Sequence, residues 1–209
     1  MLAEFNLKSM DIHPVTLVGR FIRLEPLALD HVPDLARVGT DPQIWQYMLY
    51  GEIHSQAEIK SWVEDMLERQ AGGADLAFAV VLQSTGKAIG ATRYMSIRSE
   101  HRGLEIGGTW YGVDFQGSGV NVDAKVLLLS WAFERLNAVR VQLKTDARNL
   151  RSQRAIEKLG AIKEGILRRH MVLLDGTLRD SVMYSIIDSE WPEVKARLKA
   201  RLDALFPAG

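Results

Sequence analysis

The chain contains no cysteine. Disulfides, thiolate metal sites and a cysteine nucleophile are therefore excluded, and a reducing compartment is compatible. An excess of charge of one sign is missing too. Lys plus Arg and Asp plus Glu each total 26, so no overall basic field exists to hold nucleic acid or an anionic membrane nonspecifically. A small ligand or a specific protein terminus is the expected partner class. No run of roughly eighteen apolar residues, secretory h-region or lipidation signal occurs, which makes the cytoplasm the expected location. The five histidines are scattered without a His-x-x-x-His spacing, and no metal is expected.

What is present suffices for one substantial core: 209 residues, 47% of them hydrophobic, need not form more than one domain. That domain is expected over residues 15–209, after a short, loosely ordered extension at 1–14. Phe21 to Leu27 reads as a first strand, Asp30 as the cap of a short helix, and Asp41-Pro42 as the start of another. Ile59, Trp62, Val63, Met66 and Leu67 mark a longer amphipathic helix that Gly72-Gly73 stops. Ala77 to Gln83 and Lys87 to Ser96 form a hairpin through Ser84-Thr85-Gly86. Val194, Leu198, Leu202 and Leu205 mark a terminal helix that either closes the domain or packs on a second copy in a homodimer.

The most informative stretch is Gln116-Gly117-Ser118-Gly119-Val120-Asn121, between a strand-like run (Leu104 to Val113) and an amphipathic helix expected from Val122. Its core stripe is Val122, Val126, Leu129, Phe133 and Leu136. Two glycines let the backbone turn its N–H groups toward a ligand, and the helix behind them adds the positive end of its dipole. Such a loop binds phosphate. A triphosphatase loop would need Gly-Lys-Ser/Thr, but Gly119 is followed by Val120-Asn121; a dinucleotide fingerprint would need a third glycine where Val122 stands. Taken alone, the segment is equally a plain glycine turn with Asn121 capping the helix.

A second segment breaks that tie. Val139, Val141 and Leu143 alternate with Arg140, Gln142 and Lys144, a one-sided strand, and Asn149-Leu-Arg-Ser152 then opens a helix that ends at Glu157-Lys-Leu-Gly160. The order of strand, Gln-x-x-Gly loop, helix, strand and Asn-x-x-Ser helix resembles the GCN5-related N-acetyltransferase superfamily over most of the chain. The opening Val15-Thr-Leu-Val-Gly-Arg-Phe-Ile-Arg-Leu-Glu-Pro-Leu27 and the Glu157 to Gly160 helix end resemble its ribosomal-protein alanine N-acetyltransferases. The resemblance implies an α/β (α+β) acyl-CoA N-acyltransferase fold, with a mixed, mostly antiparallel, splayed sheet of about seven strands flanked by helices.

The resemblance also implies an enzyme that moves an acetyl group from acetyl-CoA to a primary amine, on a protein or peptide N-terminus or a small molecule, by direct transfer in a ternary complex. The alternative is a catalytically weak module that binds or senses acyl-CoA. Tyr111, Val113 and Gln116 through Asn121 are implied to bind the coenzyme, with Asn149 on its pantetheine arm and Arg154 on the basic face that Arg151 and Lys158 share. Glu105 is implied as the base, among apolar Leu104, Ile106 and Trp110 that would raise its proton affinity, and Ser152 as the acid that meets the thiolate. Trp45, Tyr47, Arg93 and Trp110 are the implied acceptor contacts, although core packing explains aromatics equally well. Two positions depart from the superfamily pattern. Asn121 replaces the loop's last Gly or Ala, so its side chain must point away from the phosphates or cap the helix, and Ile156 stands where many members carry a tyrosine acid. Tyr184, on the final strand, is the reserve acid.

Overall fold

The computed structural model describes residues 10–205. Its elements are β1 (Leu17–Val18), β2 (Ile22–Pro26), α1 (Val32–Gly39), α2 (Pro42–Trp45), α3 (Gln56–Ala71), β3 (Leu76–Leu82), β4 (Ala88–Arg98), β5 (Gly103–Tyr111), α4 (Val120–Ser130), β6 (Arg140–Asp146), α5 (Leu150–Glu157), β7 (Ile162–Val172), β8 (Leu178–Ile187) and α6 (Trp191–Leu205). The strands form one eight-stranded sheet in the order β1-β2-β3-β4-β5-β6-β8-β7. All neighbours pair antiparallel except β5 and β6. The strand beyond the expected seven is β1, a two-residue piece separated from β2 by Gly19-Arg20-Phe21.

The parallel pair positions the site. β5 and β6 pair at Gly103 with Arg140, Leu104 with Val141 and Glu105 with Gln142, and there pairing ends. β5 continues to Tyr111 and β6 to Asp146, so the sheet splays beyond Glu105. β5 bends at this point: its register against β4 slips between Arg93–Gly107 and Ala91–Trp110, and Gly108 takes φ +57°. Such a bulge turns a strand away from its neighbour.

Two cores lie on opposite faces. On one, α4 and α6 cover Leu104, Ile106, Val141, Leu143, Val182, Tyr184 and Ile186; on the other, α1 and α3 cover Ala77, Ala79, Ala91 and Trp110. Asp123 ties α4 to the sheet, its buried carboxylate accepting N–H bonds from Arg20, Phe21 and Ile22 at 3.1, 2.8 and 3.2 Å.

Several expectations are corrected. α4 starts at Val120, two residues earlier than its apolar pattern indicates, because Gly119 O accepts the first helical bond, from Asp123 N at 3.0 Å. Gly119 is thus the N-cap and Asn121 sits inside the first turn. α4 is buried nearly all round, Asp123 and Lys125 included, whereas Val126 is only partly covered. Asp30 caps nothing; His31 Nδ1 accepts the Ala28 N–H instead, at 3.1 Å. The loosely ordered extension falls largely on residues 1–9, outside the described residues, but within 10–14 Met10 is buried and Ile12 packs on the core. α6 closes the domain, burying Trp191, Val194, Leu198 and Leu202, while Leu205 is exposed.

Candidate active site

At the head of α4 the chain turns through Gly117, at φ +75°, a conformation glycine adopts without steric cost. Among the described residues, the main-chain N–H groups of Gly117, Ser118, Gly119, Asn121 and Val122 have no protein acceptor. Side chains brace the loop from behind. Ser118 Oγ donates to Phe115 O at 2.6 Å, Gln116 Nε2 to Tyr111 O at 3.0 Å, and Arg151 Nη1 to Gln116 Oε1 at 2.6 Å. Asn121 turns its Oδ1 to the Tyr111 hydroxyl at 3.3 Å. Val113 is exposed beside the loop. Donors without acceptors, at the positive end of an eleven-residue helix, suit an anion.

α5 begins across the splay. Asn149 is its N-cap, its Oδ1 accepting the Ser152 N–H at 2.9 Å. The Ser152 side chain is half-buried and its hydroxyl makes no hydrogen bond among the described residues, which leaves its proton available. Arg154 is exposed without a described partner, and Ile156 is buried in the core. Between α2 and α5 lies a cavity of about 290 Å³ bordered by Gln46, Tyr47, Arg148, Asn149 and Arg151.

Glu105 stands at the last paired position before the gap and is 2% exposed. Its surroundings differ from the apolar ones read from its neighbours. Successive strand residues point to opposite faces, so Leu104 and Ile106 lie in the core on the other face. Lys144 Nζ lies 2.9 Å from both carboxylate oxygens and Gln142 Nε2 donates to Oε2 at 2.9 Å. Glu105 is thus an ion-paired carboxylate.

The same face of β6, β7 and β8 carries further polar groups. Burial opposes ionisation of Asp146, but hydrogen bonds from Arg148 outweigh it and hold the carboxyl below its ordinary range. His170 Nδ1 lies 3.0 Å from Ser181 Oγ; burial first, then the Lys144 and Arg179 cations, lower its proton affinity against an opposing pull from Glu105. Arg179 is 5% exposed.

The implied acceptor residues divide. Tyr47 borders the cavity. Trp45 and Trp110 are 1% and 3% exposed, with ring centroids 5.2 Å apart, and Trp45 Nε1 donates to Gly39 O at 2.7 Å. They are core residues and offer no face to an acceptor. Arg93 is likewise buried, 3.2 Å from Asp75 Oδ2 and stacked on Tyr50. The hydroxyl of Tyr184 donates to Glu157 at 3.1 Å; burial, then that carboxylate, pushes its pKa up to about 12, which makes it a poor reserve acid.

The acetyltransferase (GNAT) domain profile matches residues 22–162, a span that holds the gap beyond Glu105, the open amides at its foot and the Asn149 cap. The chain belongs to the GNAT acetyltransferases. A solved structure from T. thermophilus, whose acetyltransferase activity is itself inferred, is 41% identical, covering 92% of this chain and all of that one with a TM-score of 0.84. YdaF of Bacillus subtilis (strain 168), an inferred ribosomal N-acetyltransferase, is 25% identical over 174 residues, 80% of this chain and 90% of its own. Mycobacterium smegmatis RimJ, solved with CoA-disulfide, is 22% identical across 91% of this chain and 97% of its own; its TM-score of 0.76 marks a shared fold. This GNAT chain thus counts an inferred ribosomal N-acetyltransferase among its relatives.

Reading the sequence missed Lys144, Gln142, Asp146, Arg148, His170 and Arg179 as site groups. A signal for some of them was present. Gln142 and Lys144 are the polar half of β6's alternation, and Arg179, Ser181 and Ser185 alternate with Val182, Tyr184 and Ile186 in β8. On sheet strands whose other face is core, such polar positions must line something other than bulk solvent when they are buried.

Proposed function

We propose that this GNAT enzyme transfers the acetyl group of acetyl-CoA to a primary amine, on a protein or peptide N-terminus or a small molecule, directly within a ternary complex. The observation that carries this reading is the set of main-chain N–H groups at 117–122 with no protein acceptor. When bound, acetyl-CoA supplies an activated thioester acyl group. Gln116 through Asn121 would hold its pyrophosphate, Tyr111 and Val113 would flank it, and Asn149 would meet the pantetheine amides through its side-chain N–H groups. Arg154 would meet a peripheral phosphate.

Glu105 takes the amine's proton, directly or through water, and Ser152 offers its unpartnered hydroxyl to the thiolate. With no cysteine, no cysteine acyl relay is available. A weakly catalytic acyl-CoA-binding module is favoured by one observation, the engagement of Glu105 by Lys144 and Gln142.

Release of free thiol from acetyl-CoA against a panel of ribosomal-protein N-terminal peptides, amino acids, polyamines and aminoglycosides separates the two. Turnover on any of them supports the enzyme, and coenzyme binding with no turnover supports the module. The cradle has its own test. Gly119 has φ −66°, which proline adopts, so Gly119→Pro removes an N–H with little backbone strain. It should weaken coenzyme binding, by calorimetry, far more than Ser118→Ala.

A further inference from the structure

We propose that the acceptor carries a carboxylate near its amine, and that Arg179 is the residue that binds it. This rests on the acetyltransferase reading and names the class of amine.

Charges on the polar face pair off with one left over. Lys144 is matched by Glu105 at 2.9 Å and Arg148 by Asp146 at 2.7 Å. Arg179 stands among these groups, near enough to Asp146 and Glu105 for both to favour its charge. Yet it forms no ion pair with either among the described residues. Its only hydrogen bond there is a long one, 3.5 Å from Nη1 to Tyr47 O. The Nε–H is buried with no acceptor at all.

Arginine remains protonated even when buried, so burial cannot be relieved by loss of the proton. Arg179 is 5% exposed as a residue, and its guanidinium, with a buried, orphaned Nε–H and no described partner for Nη2, lacks a planar anion. Carboxylate is the group whose two oxygens match that edge. The contrast with Arg93 lies in charge alone, since its Nε–H is buried without an acceptor as well. That arginine is equally buried and has Asp75 at 3.2 Å, so its charge is met within the chain.

The location is that of an acceptor. Tyr47, whose carbonyl Arg179 reaches, borders the cavity beside Asn149, and Glu105 lies within electrostatic range of Arg179. An amine presented to Glu105 with a carboxylate on Arg179 would be a zwitterion, held at both ends. That carboxylate belongs either to a free amino acid or to an acidic side chain beside a peptide N-terminus. Polyamines and aminoglycosides, cationic throughout, would place like charge against Arg179, Lys144 and Arg148.

The test compares matched pairs in the thiol-release assay: α-, β- and γ-amino acids against their carboxamides, and N-terminal peptides with Asp or Glu at the second position against Asn or Gln. At least one acid should exceed its amide in kcat/KM by tenfold or more, mainly through KM. The amino-acid and peptide arms identify the source. Arg179→Lys should retain part of this preference and Arg179→Gln should abolish it, with acetyl-CoA affinity by calorimetry unchanged in both. Should Arg179→Gln fail to fold, Arg179→Lys and the wild-type pairs still decide. Amides that react as well as acids across every pair would overturn the assignment, and so would a preference that survives Arg179→Gln. No thiol release with any amine would instead overturn the parent acetyltransferase reading.

Discussion

One side of the sheet is built in two ways. Over β3, β4 and the end of β5, α1 and α3 cover it and the side chains beneath are apolar apart from the buried Arg93–Asp75 pair. Trp45, Tyr50, Trp62 and Trp110 interlock there with centroids 5.2 to 6.3 Å apart. Over β6 and β8 the same side carries Lys144, Asp146, Arg179, Ser181 and Ser185, with Glu105 at the seam. Buried charge is costly unless paired or used. The tryptophan half is a foundation that fixes where β5 bends, and the charged half is where the fold accepts that cost in exchange for chemistry. Substitutions in the first should therefore change stability and leave selectivity alone; substitutions in the second should change rate or selectivity, with loss of stability only where a buried charge is left unpaired.

The sharpest break of this comparison is Glu105→Gln. If the seam carboxylate is the base, kcat should fall by about a hundredfold or more, with little change in coenzyme affinity, and the acid limb of the pH–rate profile should flatten. Gln leaves the Lys144 ammonium buried without its counter-charge, so some stability is lost as well. A denaturation midpoint separates that loss from the rate effect. An unchanged rate on the true acceptor would remove Glu105 from the mechanism.

Trp45→Ala probes the opposite half. Truncating a tryptophan this enclosed costs about 3–5 kcal/mol, read as a shift in the urea midpoint. In the fraction still folded, KM for acetyl-CoA and the ratio of acid to amide acceptors should match wild type. A changed ratio with unchanged stability would show that the aromatic half does touch the acceptor.

How legible this division was depends on which residues announce themselves locally. The glycine loop, the Asn149 cap and the α3 and β3–β4 patterns are signals within a few positions, and the structure has them where the sequence puts them. Trp45 and Trp110 were ambiguous because an aromatic's role depends on what covers it, and Trp110 and Trp45 cover each other across 65 positions of sequence. Glu105 was misjudged in its environment for the same reason. Its sequence neighbours Leu104 and Ile106 face the far core, while its spatial neighbours Gln142 and Lys144 arrive through the parallel register with β6. Arg179 is revealed as a site residue only by counting partners, which a sequence does not record.

Beneath the sheet, Lys125 is a control on the cost of buried charge. It is 5% exposed, with its Nζ 2.8 Å from Thr109 Oγ1 and no carboxylate in an ion pair with it among the described residues. Burial pulls its pKa down from 10.5 to about 7. Between those values the unfolded chain holds a proton that the folded chain lacks, so stability falls as pH drops from above 10.5 toward 7 and levels off below. Lys125→Met removes that dependence while Thr109 keeps Thr92 as a partner at 2.8 Å. At about 1.4 kcal/mol per pKa unit, the fall from 10.5 to about 7 should make the variant more stable than wild type by about 4–5 kcal/mol near pH 7. The advantage should disappear above pH 10.5. A pH-independent difference in unfolding free energy would show that water reaches this ammonium.

The smallest effect is expected at Ser152, on the rim of the charged half. Its N–H is committed to the Asn149 cap at 2.9 Å, but its hydroxyl has no protein partner among the described residues, so Ser152→Ala should leave α5 capped and its stability within about 0.5 kcal/mol of wild type. The lost hydroxyl should lower kcat by about tenfold, because a thiolate is a tolerable leaving group near neutrality and water can donate in its place. Amines and coenzyme should bind as before, which distinguishes a departing-group role from a binding one. The comparison sharpens further with leaving-group acidity. With an acyl donor whose thiol is more acidic than that of coenzyme A, the departing thiolate needs less help, and the Ser152→Ala deficit should shrink. A deficit that stays constant would assign the hydroxyl to positioning the coenzyme, and a variant with wild-type rate would leave solvent as the proton source.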